Sequence, residues 1–595
     1  MRKTLSVLAA ATVALALALP GPASADAPPA DHDDKITGPP IEYVRHDGLS
    51  DATIELCNNT RDPAAFGAFT QNNEPFSVVS PTNPDLVIAG WNDYCSGWMG
   101  LGFSTDGGET WTDSLVPGYV GDTSAEGMAS PEFGRTNAAS DPVAAFNADG
   151  TKFYFGSISF NEFAGPKTNS DVWVARYDVL APGDPGYADY PLDYLGTTRI
   201  GRGPAAANFL GIFNDKEMVE VDRAPDSPFE GNLYECWTKF PGNGTPTIRF
   251  RASSDEGLTF SPPVNLTENG AGQGCDIAVE SDGDVYVIWR DFEFSSSHKN
   301  FGVSFARSTD GGLTFSRHRK IKNLVAYNPF DTARDCGDGP FLCPSEFVFH
   351  RYPLEPRITA DPTGELPGVY AIFNAVDPTT MVPSETSYSS AGFGTGMVGQ
   401  SFAYISRTTD NGANWSPPTK VSNPSEGHAF FPDGDALAGR LAVVWQDSRE
   451  DDCYSVQRPA SNTADATRCD DPDGEAVNTY VAVSTDGQTF PAEPTQVSSV
   501  SQMPQYEMFG AVDIPFLGDY NWIQLVDTGE GSLFGYLSWT DNRDVVPGDD
   551  PREDPQDGFD VLNWVDNGDG TFTRQFNLGG LDQNIYGNSI SIPIP

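Results

Sequence analysis

The feature that most constrains this chain is a short peptide that keeps returning along it. It reads Ser104-Thr105-Asp106-Gly107-Gly108-Glu109-Thr110-Trp111, then recurs as Ser253 to Phe260, Ser308 to Phe315 and Thr408 to Trp415. A shortened copy runs from Ser484 to Phe490, and Asp569-Gly570-Thr571-Phe572 reads as a decayed one. The chemistry is that of a hairpin turn: Asp accepts from the turn's N–H groups, Gly takes the left-handed position and the aromatic packs beneath. A chain that repeats one turn repeats the unit around it.

Each unit places an alternating strand, a turn and a second strand, often ending in Trp, ahead of the recurrent turn. The pairs are Phe76 to Val79 with Leu86 to Trp91, Val143 to Phe146 with Lys152 to Ser157, and Met218 to Val221 with Asn232 to Trp237. They continue as Asp276 to Val279 with Val285 to Trp289, and Arg357 to Ala360 with Gly368 to Phe373. Asp433 to Leu437 with Leu441 to Trp445, and Asn521 to Leu525 with Leu533 to Trp539, complete seven. Unit two has lost its turn, and no later segment shows a sustained helical period. The spacing predicts an all-β chain folded as a single seven-bladed β-propeller over residues 71–595. Residues 26–70 form an N-terminal extension, and either Ile41 to Leu56 or Asn584 to Ile594 supplies the strand that closes the ring.

The recurrent turns resemble the Asp-box, or BNR repeat, of the sialidase superfamily. The resemblance covers most of the chain and implies a secreted, sialidase-like glycoside hydrolase, with six blades as the alternative count. It also implies an arginine triad gripping a sugar carboxylate, a Tyr–Glu nucleophile and an Asp acid/base. Arg290, Arg449 and Arg543 are the arginine candidates, with Arg357 in reserve. Tyr520 and Tyr352 are the tyrosines, and Glu217, Asp93, Asp141 and Asp541 the carboxyls. The first blade opens Glu74-Pro75-Phe76 where sialidases carry Arg-Ile-Pro, which separates the chain from sialidases proper.

Strand alternation places the residues before first strands and after second strands on one rim, opposite the recurrent turns. That rim holds Asp93, Tyr94, Asp141, Asp215, Lys216, Glu217, Asp276, Arg290, Asp291, Glu355, Arg357, Asp519 and Tyr520, with Arg351 and Tyr352. It also holds Trp445-Gln446-Asp447-Ser448-Arg449 and Trp539-Thr540-Asp541-Asn542-Arg543, a repeated W-x-D-x-R. Paired carboxyls suit acid/base work on glycosides, and arginine forks suit a carboxylate. On that reading Asp447 and Asp541 join the catalytic set and Asp215 and Asp291 the binding set. An Arg–Asp brace between blades explains W-x-D-x-R equally well.

Composition removes other classes. With 83 acidic against 35 basic residues and a net charge of −48, the surface repels nucleic acid and anionic membranes. Arg2 and Lys3, an apolar run from Leu5 to Leu19 and Ala23-Ser24-Ala25 read as a secretory signal over 1–25, hence an extracellular protein. Eight cysteines then fit disulfides: Cys57/Cys95, Cys236/Cys275, Cys336/Cys343 and Cys453/Cys469. Six scattered histidines lack zinc spacing, and Gly394 to Gly399 matches GxGxxG without a following helix. No cofactor is required, although Asp471 to Glu475 and Asp549 to Asp560 could hold structural Ca²⁺. The expected partner is a carbohydrate ligand and the expected state a monomer. A non-catalytic glycan- or protein-binding propeller and a propeller lyase remain the alternatives.

Overall fold

The structure is a computed structural model. It describes residues 33–594 apart from 39–40, 61–70, 162–168, 207–209, 243, 268–271, 292–300, 332–353, 393, 452–453, 461–476, 503–515, 546–561 and 577–581. Residues 1–25, expected to be a signal, and Cys336, Cys343, Cys453, Cys469, Tyr352 and both acidic stretches lie outside the described residues.

Seven four-stranded antiparallel sheets stand around a common axis, each numbered here as a blade from its innermost strand outwards. The innermost strands are Asn72–Ser80, Ala138–Phe146, Ile212–Val221, Gly272–Val279, Arg357–Ala360, Ala429–Leu437 and Trp522–Asp527. The second strands end in the tryptophans that the sequence marks, and Trp91, Trp289, Trp445 and Trp539 are fully buried. Apolar area of that size, removed from water in every blade, stabilises the ring more than any single polar contact.

Blade seven is built from both ends of the chain. Its third strand is Asn584–Pro593, as expected, but its outermost strand is Asp34–Lys35, paired with Tyr586 and Gly587. This corrects the expected use of residues 41–56. There Tyr43 makes a single parallel bridge to Asp113, and Ala52–Thr60 is a short helix that hydrophobic periodicity did not reveal. Asp51 starts that helix by accepting from the N–H groups of Thr53 and Ile54 at 3.0 and 3.1 Å. Cys57 bonds to Cys95, and Cys236 to Cys275 across blades three and four, the two expected pairs that fall on described residues.

The recurrent turns join third to fourth strands in blades one, three, four, five and six. In each, Asp accepts within the turn; Asp310 takes Thr314 N at 2.8 Å, Thr314 Oγ1 at 2.6 Å and Ser308 Oγ at 2.8 Å. A glycine of each turn lies against the preceding blade. A Cβ on Gly108 would meet Tyr536, one on Gly312 Phe250, one on Gly412 Phe305 and one on Gly487 Tyr370, all below 3 Å. Asp569 to Phe572 is no blade turn: it tips a separate hairpin, Leu562–Asp566 with Phe572–Phe576, inserted between the second and third strands of blade seven.

Candidate functional site

Five innermost strands begin with a β-bulge, and the bulged residues are the key to the site. Glu74, Asp141, Lys216 and Phe431 there adopt left-handed φ of 55°, 59°, 52° and 52°, a conformation that costs a non-glycine residue about 1 kcal/mol or more. Pro75, Pro142 and Pro432 follow three of them; lacking an N–H, proline loses nothing at an unpaired bulge position. Phe431 packs in a separate apolar cluster with Phe430 and Leu517, whereas the bulges bring the Glu74, Asp141 and Lys216 side chains together.

There Lys216, 9% exposed, sits among carboxyls. Its Nζ is 2.5 Å from Asp519, 3.4 Å from Glu74, 3.4 Å from Asp141 and 4.0 Å from Glu355. These four carboxyls hold the ammonium well above its usual range although burial opposes them. Asp141 is drawn below the carboxylate range by Lys216 and by a hydrogen bond from Glu74, against the effect of burial. Glu74 is pushed up by burial and by Asp141, and also receives Asn92 Nδ2 at 2.7 Å. Asp215, half-buried beside them, is raised to about 7 by burial and by the Asp141 charge. Gln273 donates to Asp215 at 3.2 Å and accepts from Arg290, which carries the network towards the rim.

Arg357 lies beneath, stacked 4.9 Å over Tyr520 and 5.5 Å over Trp522, with Asp433 at 4.0 Å. Below it an axial cavity of about 80 Å³ runs between the innermost strands, with Glu220, Arg223 and Asp435 also on its wall. Innermost strands of adjacent blades do not pair, so some of their N–H groups need other acceptors. Asp276 accepts Ile358 N at 2.7 Å, Asp433 accepts Ile523 N at 2.9 Å and Asp435 accepts Leu525 N at 2.8 Å. Burial raises Asp276 to about 6 and Asp433 to about 7.

Of the sequence candidates, the structure gathers Asp141, Asp215, Tyr520, Arg357 and Arg290 at this end of the axis. Tyr520 donates to the Pro142 carbonyl at 3.3 Å, and burial pushes its hydroxyl well above its ordinary range. Glu217 is buried without a hydrogen-bond partner, its carboxyl pushed up by burial and by Asp141. Asp93 instead closes its own loop, accepting Cys95 N and Tyr43 Oη at 2.9 Å each. Asp291 is tied within blade four to Ser304 at 2.9 Å and Lys320 at 3.0 Å.

In the W-x-D-x-R segments the aspartate and arginine pair with each other, and none of the four lines the axial cavity below Arg357. Asp447 accepts Trp445 Nε1 at 2.9 Å, Arg449 N at 2.8 Å and Arg449 Nη2 at 2.7 Å. Asp541 repeats the pattern with Trp539 at 3.0 Å, Arg543 N at 2.8 Å and Arg543 Nη2 at 2.7 Å. Arg449 and Arg543 stack over Tyr480 and Tyr586, so no arginine triad of Arg290, Arg449 and Arg543 forms. Glu74 escaped the sequence reading. Its signal was the residue-Pro pair that it shares with Asp141-Pro142 and Glu355-Pro356 at the head of an inner strand.

Fold and site define a seven-bladed β-propeller with an axial carboxyl–lysine cluster. No protein-family model matches the chain, and no curated protein matches it in sequence. Among solved structures it is similar to a Hadza microbial sialidase, at 12% identity over 64% of each chain and a TM-score of 0.36. It is also similar to an alpha-L-arabinofuranosidase of Fusarium graminearum (14%, 69% of this chain and 92% of that one, TM-score 0.36). A third is an alpha-L-arabinanase of Penicillium chrysogenum (12%, 63% and 88%, TM-score 0.35). The chain thus spans about two thirds of the sialidase's length, and at these values the likenesses carry no function across.

Proposed function

We propose that this propeller is a glycan-acting hydrolase whose chemistry lies at the carboxyl-rich end of the axis. Asp215 is the proton donor and Asp141 the standing carboxylate. The observation that carries the reading is the split in their ionisation. Lys216 holds Asp141 below the usual carboxylate range, while burial and the Asp141 charge raise its half-buried neighbour Asp215 to about 7. Two carboxyls driven apart by their surroundings are what cleavage of a glycosidic bond needs: an acid for the leaving oxygen and a charge to activate water or meet the oxocarbenium ion. Left-handed backbone at Asp141 and Lys216 adds local strain, which persists where a rigid frame over-determines it.

The test is a screen of purified protein against aryl-glycosides and polysaccharides, followed by Asp215→Asn and Asp141→Asn on whichever substrate is turned over. Each variant should lose at least a hundredfold in kcat, with Asp215→Asn changing the melting temperature little. A second reading is favoured by the burial of Glu74, Asp141 and Asp519, each 5% exposed or less. In it the cluster is a structural plug and the rim binds glycan without cleaving it. Binding of a glycan with no turnover of any substrate in the screen would decide for the plug, and full retention of turnover in Asp215→Asn would remove Asp215 from the chemistry.

A further inference from the structure

A chain with 83 acidic residues has few stretches without one, and the most basic of these is also exposed. From Gly311 to Phe330 no Asp or Glu occurs, while Arg317, Arg319, Lys320 and Lys322 do. They lie at and before Arg319–Leu324, the outermost strand of blade four, and all four are exposed. Lys320 pairs with Asp291 at 3.0 Å, and Arg319 stacks 5.2 Å over Phe305. Among the described residues Arg317, Arg319 and Lys322 have no carboxylate partner. Acids were available in excess and were kept away.

Blade three repeats the pattern. Residues 236–254 hold Lys239, Arg249 and Arg251 and no acid. The Nε atoms of both arginines are buried without an acceptor. Burial, and after it the Arg249 guanidinium, push the Lys239 ammonium down. These cations are half-buried, and Arg249 lies opposite Trp237, whose ring meets Gly201 of blade two, so they stand apart from the exposed blade-four strand. Direction matters as well. The blade-four strand pairs Arg319 with Phe305 and Leu324 with Phe301, so it climbs from mid-blade to the end where Asp291 and the axial cluster lie.

We propose that the exposed outermost strand of blade four is a cationic track that binds an acidic polysaccharide and leads it to the axial mouth. The occupant follows from charge complementarity: carboxylates spaced along a polymer supply the partners that Arg317, Arg319 and Lys322 lack among the described residues, and the chain at large, at −48, repels the polymer elsewhere. The substrate class rests on the hydrolase reading, whereas binding to the track does not.

The experiment compares the full chain with the R317E/R319E/K322E variant, which leaves the Lys320–Asp291 pair in place. Retention on immobilised polygalacturonate is measured at 50 and 300 mM NaCl, with neutral arabinan as the control. The wild type should bind polygalacturonate at low salt, lose at least tenfold in affinity at high salt, and ignore arabinan. The triple variant should bind at least tenfold more weakly, with its melting temperature and its kcat on a small aryl-glycoside unchanged. Equal binding by the variant would overturn the track. So would a wild type that ignores polygalacturonate, or salt-sensitive self-association that the variant abolishes, since the cations would then face a second copy. Failure of the hydrolase reading shows differently, as absent turnover with polymer binding intact.

Discussion

Replacing Asp447 by Asn removes the charge of the blade-six brace while keeping its shape. The carboxylate is fully buried and takes three hydrogen bonds, two of them from Arg449. The other side-chain acceptor for that guanidinium is Ser422 Oγ at 2.9 Å, so the variant leaves a charge among neutral groups. Breaking one side of a buried pair costs about 3–5 kcal/mol. Unfolding entropy of about 2.1 cal/mol/K per residue gives about 1.2 kcal/mol/K for a chain of this length. The melting temperature should therefore fall by about 3–4 °C. In blade seven Arg543 keeps a second carboxylate, Asp33 at 2.7 Å, so Asp541→Asn should cost only about half as much. Adding Asp33→Asn should bring blade seven to the blade-six value. Scanning calorimetry of the four proteins at pH 7 and 0.1 M NaCl checks the order, with turnover per folded molecule alongside. Equal falls for D447N and D541N, or turnover lost beyond the unfolded fraction, would return these aspartates to the functional site.

Asp310→Ala removes three hydrogen bonds from an exposed turn and should cost about 1 kcal/mol, leaving binding and turnover at the axis intact; loss of activity at unchanged stability would reverse the two faces. Asp215 and Asp433 at about 7 and Asp276 at about 6 all titrate above their unfolded value. The native state thus binds the extra protons, and stability falls as pH rises from about 4 through 7, by up to about 1.4 kcal/mol per unit for each group. The turn aspartates Asp106, Asp255, Asp310, Asp410 and Asp486 are depressed, so their contribution is lost as pH drops below about 4. Urea denaturation should give a maximum between pH 4 and 5, and a maximum above pH 7 would contradict the burial of those groups. Lys216→Gln strips four carboxyls of their common cation; it should destabilise strongly at pH 7.5 and much less at pH 5, where the carboxyls take up protons.

Blade number was legible because one turn chemistry is repeated almost letter for letter, and a turn is a local event. The axial cluster was only partly so. Asp141, Asp215, Arg357 and Tyr520 follow from where strands begin. That Glu74 joins them depends on a left-handed backbone that no glycine announces. The W-x-D-x-R segments were drawn to the site by the same end-of-strand argument, which fixes height along the axis and says nothing of direction. Residues two apart on a strand share a face. Trp445 and Trp539 are buried between blades, so Asp447 and Asp541 point there too, where the indole N–H captures them. The short helix over residues 52–60 is set by its Asp51 cap and by Cys57, neither of which leaves a periodic signal.

The glycine contacts of the recurrent turns all reach back to the preceding blade, which gives the ring a polarity and, with it, seams. Blade one clasps seven, three clasps two through Gly257 against Arg176, and four, five and six clasp three, four and five. Blades two and seven carry no such turn, so nothing of this kind crosses from two to one or from seven to six. The first gap is filled by rings, with Trp98 of blade one stacked 6.0 Å from Trp173 of blade two and Phe76 edge-on at 5.1 Å from Phe155. The second is filled by apolar packing, Val444, Val481 and Val497 of blade six with Ile523, Leu537 and Trp539 of blade seven. Side chains also bridge it, such as Arg440 to the Pro593 carbonyl at 3.0 Å and Asn588 to the Val497 carbonyl at 2.8 Å. The turn contacts thus divide the ring into an arc of five blades and a pair, joined by aromatic rings at one seam and by aliphatic packing at the other. Amide exchange should therefore find any opening of the ring at the two joins without a turn contact, between blades one and two and between six and seven.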